Sequence, residues 1–95
     1  MSNRIQSDVN ILVGYIKHAA DDKSVTVISR RIKEILRGCR VHIRDTDKNG
    51  MIINSITGSD GLVECHVKIE LPAGDSRPEF RLFYLGKELE IIENN

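Results

Sequence analysis

The sequence predicts an α+β fold, with two N-terminal helices followed by a five-stranded antiparallel meander. Up to Gly38 apolar residues recur every three or four positions, which marks one face of a helix; beyond Gly38 they recur every second position, which marks a half-buried strand. The connections between the β-type segments are short and rich in Gly, Asp, Asn and Ser, too short for parallel crossovers.

Ser7-Asp8 supplies cap residues ahead of Val9, Leu12, Val13, Ile16 and Ala20, so a first helix is predicted from Asp8 to Ala20. Gly14 lies inside it at a cost of about 1 kcal/mol relative to Ala, which a closely passing backbone would explain. Ile28, Ile32, Ile35 and Leu36 continue the helical spacing, with Arg37 near the end and Gly38 as the stop. The β-branched run SVTVI leaves this second helix two starting points, Ser24 and Ser29. The helical part thus spans 8–37 and the β part 39–93.

In the β part, Val41 and Ile43 alternate with Arg40, His42 and Arg44, and Val63, Cys65, Val67, Ile69 and Leu71 alternate with Glu64, His66, Lys68 and Glu70. Met51–Thr57 lies between them, followed by a turn at 57–61, and residues 72–78 read as a loop. Phe80–Leu85, Gly86-Lys87 and Glu88–Ile92 read as a closing hairpin. The sheet either curls into a small SH3-like barrel or stays open with both helices on its dry face.

With 95 residues the chain is expected to form a single domain, 1–95, and its 40% hydrophobic and 29% charged content is that of a globular protein. Two Phe, two Tyr and no Trp leave the core to Ile, Leu and Val and provide no aromatic platform for stacking single-stranded bases. There is no apolar run long enough for a secretory leader or a membrane span, and two cysteines make no disulfide framework. A cytoplasmic protein with free thiols and no membrane association is expected.

The sharpest chemical motif is DTDKNG, residues 45–50, which matches the start of an EF-hand calcium loop. Asp45, Asp47 and Asn49 fall at the first, third and fifth ligand positions, making them weak metal candidates. The twelfth position, where a bidentate Glu is needed, is Ile56, and the flanks read as strands. Asn49-Gly50 is therefore predicted to be a hairpin turn. Cys39, His42, Cys65 and His66 are zinc-ligand types, but strand alternation sends the thiols to the dry face and the imidazoles to the wet one. The same parity excludes a Cys-His nucleophile.

The zero net charge hides an asymmetry: nine Lys or Arg against four Asp or Glu up to Arg44, and five against ten after it. Arg30, Lys33 and Arg37 on the second helix, with Arg40, His42 and Arg44 on the first strand, are the candidate partner-binding residues. Glu64, Glu70, Glu88 and Glu90 stand ready to neutralise such a patch from later strands. No nucleophile elbow, glycine-rich phosphate loop or carboxylate pair in an apolar setting is present, so neither catalysis nor a cofactor is expected.

The reading that follows is a non-enzymatic binding or regulatory module whose basic face meets a macromolecule, a protein in preference to a nucleic acid. One alternative is an accessory subunit that forms a homo-oligomer through its last strand. The other comes from the tail. Arg81, Phe83 and Tyr84 before a short turn and Leu89-Glu90-Ile91-Ile92 resemble the closing hairpin of RelE-type ribonuclease toxins, which also carry two helices ahead of antiparallel strands. The resemblance covers about a third of the chain. It implies an RNA-cleaving activity with Arg81 and Tyr84 at the RNA, although that family's opening strand and its basic or aromatic tail are not matched here.

Overall fold

A computed structural model describes residues 3–72, 74 and 77–92. Two helices precede a five-stranded antiparallel sheet: α1 (Arg4–Lys17), α2 (Asp22–Leu36), β1 (Arg40–Ile43), β2 (Asn49–Thr57), β3 (Val63–Ile69), β4 (Glu79–Tyr84) and β5 (Leu89–Ile92). Three residues of the predicted 72–78 loop (73, 75 and 76) and residue 93 lie outside the described residues.

The first helix starts a turn earlier than the sequence reading placed it. Asn3 is the N-cap, its side chain accepting the Gln6 N–H at 3.0 Å. The earlier start adds Ile5 to the face that Val9, Leu12, Val13 and Ile16 turn toward the core. Gly14 is not explained by a passing backbone, because a Cβ there would meet nothing within 4 Å. The second helix also starts before both predicted positions. The Asp21 carboxylate accepts the Ser24 N–H at 2.7 Å, and the bonds from Ser24 hold its carboxyl below the ordinary carboxylate range. With that cap in place, the β-branched run belongs to the helix. Gly38, at φ +85°, ends it as predicted.

The strand order is β4-β3-β2-β1-β5, so β1 to β4 form a meander and β5 adds to the far side of β1. The predicted closing hairpin between β4 and β5 is therefore not formed. Leu89 and Ile91 pair with Ile43 and Val41, and all four side chains are buried on the dry face. In the predicted hairpin, with Gly86-Lys87 as its turn, the same two residues would have lain opposite Tyr84 and Leu82, both exposed. The sheet is open rather than closed into a barrel. It must nevertheless curl, because a flat sheet of five strands at ~4.8 Å spacing is about 19 Å wide, beyond the ~17 Å reach of the link from Tyr84 to Leu89. One bridge, Leu85 to Leu89, and the Glu88 N–H to Tyr84 carbonyl bond at 2.9 Å hold the two edges together at one end.

The β1–β2 turn also falls elsewhere than predicted. It occupies 44–48, where Asp45 takes φ +62° and the Thr46 hydroxyl both donates to the Ile43 carbonyl at 2.7 Å and accepts the Lys48 N–H at 3.0 Å. Asn49 and Gly50 lie inside β2. Gly50 serves a close approach instead: a Cβ would lie 2.5 Å from Val67 Cγ1 and 2.8 Å from the Lys68 carbonyl oxygen.

Farther along β2, the register with β3 shifts between Ile52 and Asn54. This bulge inverts the alternation. Ile52 is buried, yet Ile56 is 64% exposed, and Ser55 and Thr57 take the inward positions. The core is a single cluster in which Ile32 and Leu36 of α2 pack with the inward residues of the sheet.

Candidate interaction surface

The helices cover one face of the sheet, and the opposite face carries the outward residues of all five strands. Cross-strand pairing arranges them in rows. One row runs Ile92, Arg40, Met51, Lys68 and Phe80. Its neighbours are Asn54, His66 and Leu82, then Ile56, Glu64 and Tyr84. Met51, Ile56, Phe80, Leu82 and Tyr84 are all exposed large apolar side chains, Ile56 at 64% and Leu82 at 60%. The His66 ring lies tilted against Phe80 at 5.7 Å between centroids. Asn54, Ile56, Glu64, His66 and Leu82 border a dip of about 90 Å³.

The six basic residues singled out in the sequence divide between two sides of the sheet. Arg40, His42 and Arg44 belong to the helix-free face. Arg40 gives Nε and Nη2 to Glu70 Oε1 at 3.1 and 2.9 Å, and Arg44 lies 4.0 Å from Glu90. Both pairs are about half exposed, so each contributes little to stability but lowers the local charge. His42 Nδ1 meets Asn49 Oδ1 at 2.9 Å. Glu88 is engaged with β4, where it accepts the Tyr84 N–H at 2.9 Å. Arg30 and Lys33 flank α2 on the other side, where they line a hollow of about 270 Å³ with Ser29 and Thr57. Arg37 is the C-cap residue of α2, at the corner between the two groups.

Cys39 and Cys65 are free and buried on the dry face, while His42 and His66 lie on the other. Burial pushes the Cys65 thiol up to about 12, with the nearby Cys39 and Glu64 adding to the effect, and it raises Cys39 as well. Cys39 Sγ also contacts the Ile35 carbonyl at 3.3 Å. Such thiols are poor nucleophiles. Asp45, Asp47 and Asn49 lie in or beside the β1–β2 turn, and among the described residues no three His, Cys, Asp or Glu side chains converge as a metal site would require. Among the described residues no helix is long and apolar enough to cross a membrane. Arg81 and Tyr84 differ in strand parity, so their side chains leave β4 on opposite faces.

The apolar residues of this face were only half legible beforehand. Phe80–Leu85 was read as a strand, but with Phe83 and Leu85 apolar as well, which side would be left uncovered depended on where the helices packed. The fold defines the chain as a two-helix, five-strand α+β protein with one uncovered sheet face. Compared with protein families, curated proteins and solved structures, the chain matches none.

Proposed function

We propose that the chain is a non-enzymatic protein-binding module that receives its partner on the helix-free face of the sheet. One observation carries the reading: five large apolar side chains lie exposed on a single face, an arrangement that marks contact sites in soluble proteins. Arg40, His42 and Arg44 with Lys68 give that face a cationic side, so the fitting partner is a protein surface that is both apolar and acidic. A nucleic-acid partner is less favoured, because Glu70 and Glu90 already offset two of the cations and the exposed rings are few. A RelE-like activity is disfavoured by the divergence of Arg81 and Tyr84. The basic flank of α2 becomes a secondary surface.

The test is co-purification from native cells at low salt, followed by measured binding of the identified partner. Ile56→Glu should abolish binding, and Arg40→Glu with Arg44→Glu should weaken it at least tenfold. Arg30→Glu with Lys33→Glu should leave it unchanged. Loss of binding in the α2 variant with retention in Ile56→Glu would reverse the assignment. A partner that is nucleic acid, with affinity falling steeply as salt rises, would replace it.

A further inference from the structure

The two edges of the sheet are not equivalent. An edge strand leaves every second residue with its N–H and C=O turned away from the sheet, a template for another strand. On β5 those residues are Leu89 and Ile91. The Leu89 carbonyl accepts the Gly86 N–H at 3.0 Å, and the Ile91 carbonyl accepts Asn3 Nδ2 at 2.6 Å. The last strand, the expected site of oligomer contacts, therefore has both outward carbonyls taken, by the chain's own β4–β5 link and by the cap of α1.

On β4, the Leu85 N–H bond to the Val63 carbonyl at 2.9 Å fixes the alternation. Arg81 and Phe83 bond to β3, while Phe80, Leu82 and Tyr84 turn outward. Tyr84 is closed off, since Glu88 takes its N–H through Oε1 and gives its own N–H to the Tyr84 carbonyl, both at 2.9 Å. Pro78, just before the strand, has no N–H to offer. What remains open is a window of two residues, Phe80 and Leu82, whose outward backbone groups find no partner among the described residues.

We propose that this window pairs with the same window of a second copy, antiparallel about a two-fold axis at Arg81. In that register Phe80 of each chain stands opposite Leu82 of the other and exchanges both backbone bonds with it. A slide by two residues in either direction would need the closed Tyr84 or the N–H that Pro78 lacks. The occupant is a second copy because the side chains are self-complementary. Phe80 meets Leu82 on the helix-free face. On the other face the two Arg81 residues stand opposite each other at the axis, and each is offset by its own Glu79 at 3.5 Å and by the Glu79 of the second copy, which falls diagonal to it. The whole chain carries no net charge to oppose association. The pairing joins two sheets into one, which doubles the helix-free face.

The experiment is mass determination by sedimentation or light scattering across a dilution series, with circular dichroism to monitor folding. The wild-type chain should approach twice its 10.7 kDa at high concentration and dissociate on dilution. Leu82→Pro removes an outward N–H that the fold does not use and should yield a folded monomer. Arg81→Glu gathers carboxylates at the axis and should do the same without touching the backbone. Ile56→Glu should keep the dimer, which separates this outcome from the partner-binding test. A wild-type monomer at every concentration, a dimer that survives both edge variants, or a mass beyond two chains would overturn the proposal.

Discussion

Replacing Gly50 with alanine tests whether this glycine serves a turn or a close packing contact. The added carbon would lie 2.5 Å from Val67 Cγ1 and 2.8 Å from the Lys68 carbonyl oxygen. Carbon atoms prefer separations of about 3.5–4.0 Å, so one of the two must give way by roughly an ångström. Val67 is fully buried, and Lys68 belongs to the backbone paired with β2, so neither retreats without disturbing the core or the ladder. Gly-to-Ala at a permitted φ otherwise gains about 0.5–1 kcal/mol, whereas overpacking costs about 1–3 kcal/mol. A net loss of about 1–2 kcal/mol follows, equivalent to a Tm lower by about 5–15 °C for a chain of this size. Gly14→Ala is the internal control: it enters open space on α1 and should gain about 1 kcal/mol and raise Tm by about 5 °C. Thermal and urea unfolding followed by circular dichroism measures both. A Gly50→Ala protein as stable as the parent would refute the close approach and return Asn49-Gly50 to the turn that the sequence suggested.

Two further outcomes follow from the buried polar groups. The hydroxyls of Ser55 and Thr57 are buried without a hydrogen-bond partner among the described residues, so Thr57→Val, of nearly equal shape, should stabilise by about 1 kcal/mol in urea unfolding; a loss of similar size would mean the hydroxyl is satisfied. The raised thiols give a pH dependence of defined sign. Unfolded cysteines ionise near pH 8.5. The buried Cys65 stays protonated up to about 12. Stability should hold below pH 8.5 and fall above it by up to ~1.4 kcal/mol per pH unit and thiol, and Cys65→Ala should flatten that slope. Equal slopes for parent and variant between pH 8 and 10 would contradict the burial argument.

The sequence by itself determined the order of elements, the switch of period after Gly38, the stop at that glycine and the burial of both thiols opposite both imidazoles. These are local properties, set by side-chain rhythm and by residues that favour one backbone conformation. Tertiary structure decided the rest. Asn3 and Asp21 were chosen over later caps because earlier starts add apolar residues to the buried faces. The last strand left its sequence neighbour for β1, where its dry face was continuous with Val41 and Ile43. The bulge after Ile52 turned Ile56 outward and two hydroxyls inward, and that inversion helped to create the apolar face on which the functional reading rests. Strand parity is readable from a sequence only while the register is unbroken; a single extra residue reverses it, and that residue is set by pairing between strands rather than by the strand's own composition.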